Sequence, residues 1–332
     1  MARTTTSRLV GIAIAALVVA ACGSATPTPS PGPTATPAPS VAPTASPSAS
    51  QTASPTPAPT PVPTPSPIEG IPNFRHVYVI IMENKEYGSI VGSKAAPYEN
   101  SLIKTYGLAT NFHAETHPSE PNYIALTSGG LNGVGTDGYY NLKVPNLFDQ
   151  IEAAGRTWHV YAQGYPGNCF TGSVAPGGVD GPGAAGEYAR KHNPAISYSS
   201  IESNKTRCAN ITHLAGFDPS AADFELIIPN MINDMHSSSV AAGDAFLKVF
   251  VPKIIDSNSF ADSVLFITWD EGSTDVDGGG HIATIVVSPG MQPGSRYTGP
   301  ADHYSLLRTI EDAWSMPYLG KAGSVAPLSF QY

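Results

Sequence analysis

The sequence predicts an α/β domain in which a largely parallel sheet carries helices on both faces. Three observations lead there. Five short runs rich in Val, Ile, Phe and Tyr are largely apolar rather than alternating, as suits strands covered on both faces. Helix candidates fall between those runs, the pattern that builds parallel sheets. No segment repeats at a fixed period, so a solenoid or propeller is not indicated.

Taken in order, "HVYVIIM" (76–82) is the first strand and "YENSLIKTYG" (98–107) the first helix. At 119–130, Ser119 is expected to be a helix N-cap, with Pro121 and the run Tyr123 to Leu126 behind it and Gly129 and Gly130 at the stop. "PNLFDQIEAAG" (145–155) is a helix closed by glycine, and "TWHVYA" (157–162) a strand. The glycine-rich stretch 164–186 reads as an ordered excursion pinned by Cys169. Beyond it come strand 224–229, helix 241–255, strands 263–269 and 282–288, and helix 303–314.

The chain of 332 residues has two segments before this domain. Residues 1–22 carry two arginines, an uncharged apolar run from Leu9 to Ala21, and Cys22. That run is short for a membrane span and has the layout of a secretory signal. Its end, Val19-Ala20-Ala21-Cys22, resembles the lipobox of bacterial lipoproteins, which implies lipidation of Cys22. Residues 23–68 are mostly Pro, Thr, Ser and Ala with no charge, a composition that cannot offset its ordering entropy and forms an extended linker. Fully extended it reaches on the order of 100 Å. The expected place is therefore the outer face of a cell membrane, lipid-anchored, or the secreted medium.

Residues 69–332 form one domain. Leaving out Arg3 and Arg8, the Lys and Arg number 15 against 26 Asp and Glu, a balance of −11. An acidic surface without basic clusters excludes nucleic acid as a partner. With Cys22 assigned to lipid, Cys169 and Cys208 remain, and outside the cytoplasm they are expected to form a disulfide.

The chemistry is read from strand ends. Glu83 and Asn84 continue the first strand, and Asp270 and Glu271 continue strand 263–269. Ligands of open α/β sheets bind beyond the carboxyl ends of strands. Four such oxygen donors suit Mg²⁺, Ca²⁺ or Mn²⁺, with zinc left open. Asp234 and His236 follow another strand, His281 precedes one, His303 starts a helix, and His113 and His117 precede Ser119. His76, His159, His192 and His213 are assigned to ordinary hydrogen-bonded positions. Several motifs fail. "DVDGGGH" (275–281) opens like a calcium loop but has Val286 where its closing glutamate belongs, and neither a Gly-x-Ser-x-Gly elbow nor a P-loop is present. What fits is Ser119, or secondarily Thr116, at a helix N-terminus beside a metal.

"MENKEY" (82–87), "ETHPSEPNYIALTSG" (115–129), "YARKHNP" (188–194), "IPNMINDMH" (228–236) with "AAGDAFL" (241–247), "FITWDEG" (266–272) and "DHYSLLRTIED" (302–312) occur in this order. Together they resemble the bacterial phosphoesterase family of secreted acid phosphatases and phospholipase C enzymes, with the short acid phosphatases, including those acting on phosphatidylinositol 3-phosphate, the nearest in pattern. The resemblance implies a three-layer α/β/α sandwich like that of the alkaline phosphatase superfamily. It implies a phosphomonoesterase with Ser119 as nucleophile, forming a phosphoserine, and a divalent metal held by Glu83, Asn84, Ser119, Asp270 and Glu271. His236, His281 and His303 would contact phosphoryl oxygens, protonate the leaving group or complete a second metal site, and His117, Asn122 and Asp234 would bind substrate. Phospholipase members follow the Asp-Glu pair with a histidine; Gly272 stands there, which favours the phosphatase branch. The alternatives are a phospholipase C-type phosphodiesterase and, outside enzymes, a phosphate- or solute-binding lipoprotein. The expected partners are a phosphate ester and a membrane, with the domain a monomer.

Overall fold

The computed structural model describes residues 71–175 and 188–332. The signal, Cys22, the linker and residues 176–187 of the glycine-rich excursion lie outside them. The described elements in order are β1 (Val77–Met82), α1 (Pro97–Thr105), β2 (Gly107–His113), α2 (Ser119–Ser128), α3 (Leu147–Ala153), β3 (Trp158–Ala162), β4 (Ile211–His213), β5 (Phe224–Ile228), α4 (Val240–Phe250), β6 (Val264–Trp269), β7 (His281–Val287), β8 (Ser295–Tyr297) and α5 (His303–Ala313), with shorter turns between them.

These eight strands form one sheet in the order β8-β2-β7-β6-β1-β5-β3-β4, and Val174–Ala175 pairs with Tyr188–Ala189 in a separate two-stranded ladder. β7 pairs antiparallel with both of its neighbours, whereas the other pairings are parallel. Every residue of β1, β5 and β6 is buried. Helices α1 and α4 pack on each other, as do α2 and α5. The sheet is thus the middle layer of an α/β/α sandwich, as the continuous apolar runs required.

The register of the central pair positions the site. Val77 pairs with Val264 and Met82 with Trp269, so β1 and β6 end level. Glu83 and Asn84 therefore emerge beside Asp270 and Glu271.

The expected boundaries hold within a few residues, with informative exceptions. Helix 241–255 stops at Phe250, because Pro252 starts a separate turn, Pro252–Ile255. β2, β4 and β8 were not expected; β2 contains Thr110 and Asn111 and breaks register between Ala109 and Phe112. Ser119 is not the N-cap of α2. Pro118 holds that position and Ser119 is the first helical residue, which leaves its hydroxyl out of capping. The far end follows expectation: Gly129 ends the helix with φ +69, and a Cβ there would lie 2.1 Å from the Leu319 carbonyl oxygen. Cys169 and Cys208 are bonded, their Cα atoms 5.6 Å apart.

Candidate active site

Ser119 is buried at the start of α2. Its Oγ lies 3.2 Å from Glu83 Oε2 and 3.5 Å from Glu271 Oε1. Asn84 donates from its backbone to Asp270 Oδ1 at 3.2 Å and from its side chain to Glu271 Oε1 at 2.8 Å. Asn84 adopts φ 52, a left-handed conformation that asparagine tolerates better than most residues. Two sheet termini and one helix start thus bring Glu83, Asn84, Ser119, Asp270 and Glu271 together.

This cluster is dense in buried carboxylates. Burial, then the charges of Asp270 and Asp234, push Glu83 well above the carboxylate range. Burial raises Asp270 to about 6, and burial followed by the charge of Asp270 raises Glu271 to about 7. Asp270 Oδ2 and Asn84 Oδ1 are buried without a hydrogen-bond partner. Orphaned oxygens among desolvated carboxylates are the donor set of a hard divalent cation, so these residues fit one.

Behind Glu83 lies a second group that sequence reasoning misplaced. His192, expected to be an ordinary loop residue, is buried with Nε2 3.1 Å from Glu83 Oε1 and Nδ1 3.3 Å from Asp234 Oδ2. Tyr123 of α2 stacks on its ring and donates from its hydroxyl to Glu83. Donor atoms of Glu83, His192 and His236 lie within 4.8 Å of one another. Burial raises Asp234 to about 7; burial, with the charges of Lys191 and His192, lowers His236 to about 4.

Lys191 was also overlooked, although it lies in the quoted "YARKHNP" run. Its Nζ is 3.5 Å from Ser119 Oγ, 3.3 Å from His236 Nε2 and 3.0 Å from Asp137 Oδ2. Asp137 is fixed in turn: it accepts the Glu120 N–H at 3.1 Å, while Glu120 Oε2 accepts the Gly138 N–H at 2.8 Å. Arg190, buried beside Glu120 at 3.4 Å, donates to the Gly138 and Tyr140 carbonyls at 2.6 and 2.8 Å. This buried pair clamps loop 137–140 over the site; breaking it by removing one partner costs about 3–5 kcal/mol.

Four expected site residues are placed differently. His303 gives Nδ1 to Glu115 Oε2 at 2.5 Å and Nε2 to the Trp269 carbonyl at 3.0 Å, so neither nitrogen is left for a phosphoryl oxygen. His281 bonds the Thr110 carbonyl at 3.0 Å and stacks between Tyr87 and His113, outside the cluster. The Asn122 side chain is engaged by the backbone. Its Oδ1 accepts the Glu115 and Thr116 N–H groups, and its Nδ2 donates to the Thr116 carbonyl at 2.8 Å, closing the loop before Ser119. His117 lies at the rim, with Nδ1 2.8 Å from Glu271 Oε2 and Nε2 3.0 Å from the Thr274 carbonyl. Burial would lower its pKa, but the Thr274 carbonyl and Glu271 together raise it. The Thr116 hydroxyl donates to the His117 carbonyl at 3.1 Å and does not reach the cluster.

Residues 92–317 match the Phosphoesterase family. The chain is 32% identical over 261 residues to the phosphatidylinositol-3-phosphatase of Mycobacterium tuberculosis, covering 78% of this chain and 83% of that protein. It is 29% identical over 259 residues to a probable acid phosphatase of Kluyveromyces lactis, covering 75% of this chain and 60% of the yeast protein. An acid phosphatase of Aspergillus fumigatus is 29% identical over 271 residues, with 76% and 58% covered. Among solved structures, the lipoteichoic acid synthase LtaP of Listeria monocytogenes superposes with a TM-score of 0.53 at 10% identity, covering 77% of this chain and 76% of that one. A protein in the alkaline phosphatase superfamily from Vibrio parahaemolyticus superposes with a TM-score of 0.50 at 12% identity over 78% and 72% of the chains. At these identities the two structures share the fold.

Proposed function

Because the chain belongs to the phosphoesterase family and is thereby a hydrolase of phosphoric esters, we propose that it is a metal-dependent phosphomonoesterase of the acid phosphatase kind, working through Ser119. One observation carries this reading. Ser119 Oγ stands in the first turn of a ten-residue helix, between the carboxylates of Glu83 and Glu271 and the ammonium of Lys191.

In the first half-reaction the bond from Ser119 Oγ to phosphorus forms, the ester P–O bond breaks, and the alcohol leaves with a proton. In the second, water oxygen replaces Oγ on phosphorus and the serine recovers its proton. Glu83 Oε2 accepts the hydrogen bond of the hydroxyl, which orients it. The Lys191 ammonium, 3.5 Å from Ser119 Oγ, faces the negative charge of the phosphoryl group. His236 borders the same space through Lys191 and is the ring placed to move a proton at the leaving or attacking oxygen. A divalent cation held by Glu83, Asn84, Ser119, Asp270 and Glu271 would supply the positive charge that lowers the serine pKa and offsets phosphoryl charge. At His236 the chain supplies a cation of its own, Lys191, which favours one metal over two.

The phosphatase branch is also supported at Gly272. A Cβ there would lie 2.4 Å from Glu86 Oε1 and 3.2 Å from the Gly280 Cα, so the histidine of the phospholipase pattern has no room. Glu86 is tied down by accepting the Ser273 and Thr274 N–H groups, both at 2.9 Å. One relative is named a phosphatidylinositol-3-phosphatase, so phosphoinositides are a substrate class to assay alongside p-nitrophenyl phosphate. The same reading puts the domain outside the cytoplasm, tethered at Cys22 through the linker; the Cys169–Cys208 bond supports it, since disulfides persist in oxidising compartments.

The deciding experiment is hydrolysis of p-nitrophenyl phosphate by wild type and Ser119→Ala. Loss of turnover with an unchanged circular dichroism spectrum is expected. Near wild-type turnover in the variant rules Ser119 out as the nucleophile.

A further inference from the structure

Beyond Lys191 the structure contains a cavity of ≈ 310 Å³, walled by Asp137, Tyr139, Thr171, Ala189, Lys191 and Met231 among others. Lys191 belongs to both places: it lines the cavity, and its Nζ is 3.5 Å from the reacting serine oxygen. A group joined to a phosphoryl at Ser119 and directed past Lys191 would enter this cavity.

The walls define what they accept. The Tyr139 ring, the Met231 thioether and the Ala189 methyl give apolar, adaptable contact surface. The Arg190 guanidinium lies 4.6 Å from the centre of the Tyr139 ring and backs it as a fixed wall. Among the described residues, each lining cation is paired with a carboxylate, although the Arg190 Nε is buried without a hydrogen-bond partner. Lys191 is held by Asp137 at 3.0 Å, and Arg190 is engaged by Glu120 and the Gly138 and Tyr140 carbonyls. The volume is at the small end for ligand sites, enough for one ring and its substituents.

We propose that this cavity is the subsite for the alcohol half of the ester, and that it selects uncharged, ring-sized or apolar alcohols, such as those of aryl phosphates, over alcohols bearing a second anionic group. The proposal rests on the phosphomonoesterase reading above. A second anion inside the cavity meets the Asp137 carboxylate and no free positive charge, in a domain that is acidic overall.

The test is steady-state kinetics of the full chain with phenyl phosphate, methyl phosphate and 4-carboxyphenyl phosphate. Each variant is compared with wild type on the same substrate, so that leaving-group basicity cancels. Thr171→Trp, which fills the cavity, is expected to lower the phenyl-to-methyl ratio of kcat/KM at least fivefold. Tyr139→Ala, at an exposed position, is expected to lower that ratio through a raised KM for phenyl phosphate. Thr171→Lys is expected to raise the carboxyphenyl-to-phenyl ratio. If Thr171→Trp and Tyr139→Ala leave the phenyl-to-methyl ratio unchanged in an enzyme that hydrolyses both esters, the subsite assignment is overturned and the phosphomonoesterase reading stands. An unchanged carboxyphenyl-to-phenyl ratio in Thr171→Lys overturns the charge selection. A wild type that hydrolyses no monoester at all overturns the parent reading instead.

Discussion

The Lys191 ammonium lies 3.5 Å from Ser119 Oγ while Asp137 grips it from the other side at 3.0 Å. Burial works against its charge, but the hydrogen bond and charge of Asp137 outweigh that and raise its pKa, so the lysine stays cationic. A buried-edge cation next to a nucleophile acts on whatever negative charge the nucleophile gathers. The contact arises because a short turn, Arg190–His192, is held against α2 by the Glu120–Arg190 pair.

Replacing that cation tests its role directly. Lys191→Met is expected to lower kcat/KM for p-nitrophenyl phosphate by about 10²–10³, the usual loss when a charge-stabilising donor is removed. Lys191→Arg should recover part of it. A loss below threefold in the methionine variant argues that Lys191 serves Asp137 alone.

Metal removal should be felt by the fold as well as by catalysis. Without a cation, the desolvated carboxylates of Glu83, Asp270 and Glu271 crowd one another, and burial raises the pKa of each. A ligand at a hundred times its Kd stabilises the native state by about 2.7 kcal/mol. EDTA should therefore lower the melting temperature and abolish turnover, and divalent cations should restore both. An unshifted melting temperature speaks against the metal site.

Away from the site, Glu99 makes stability depend on pH. It is fully buried where α1 meets α4, beside Asp244, which accepts the Tyr98 and Glu99 N–H groups at 2.8 and 2.9 Å. Burial, then the charge of Asp244, raises its pKa from 4.5 to about 9. The native state keeps a proton that the unfolded chain has lost. The stability due to the protonated form is thus complete below 4.5 and declines as pH climbs toward about 9, with a slope of up to about 1.4 kcal/mol per pH unit. Glu99→Gln should melt at a temperature less sensitive to pH over this window than wild type. Parallel melting curves for the two proteins would refute the assignment.

The Cys169–Cys208 bond closes a loop of sequence separation 39. Chain-entropy reasoning gives such a closure about 4 kcal/mol. Urea unfolding with and without reductant should show a lower midpoint in the reduced protein; coincident curves would mean that the bond contributes nothing to stability.

The carboxylate half of the site was legible because it follows from strand ends. Two apolar runs each finish in an acidic or amide pair, and level pairing of Met82 with Trp269 brings the pairs together. His192 was not legible by that rule. It sits in a short turn after a long excursion, and only tertiary packing buries it between Glu83 and Asp234. The sequence signal was the Lys-His-Asn-Pro run, which carried no periodicity to interpret. His281 and His303 show the converse: both are near the catalytic edge, but position does not reveal that Thr110, Glu115 and Trp269 take their nitrogens. For the fold, β2 escaped notice because Thr110 and Asn111 interrupt its apolar run, and β4 and β8 have three residues each, too few for a pattern.

The reversal of β7 has a consequence for how this enzyme could be altered. Since β6 arrives at the catalytic edge and β7 departs from it, residues 270–280 leave and rejoin the sheet on the same side. No helix has to be crossed to make that connection. The hairpin tip, with the exposed Val276, can be lengthened or exchanged without shifting a layer of the sandwich, while Asp270 and Glu271 remain anchored to its base. It is the natural graft point for building a new rim around an unchanged reaction centre.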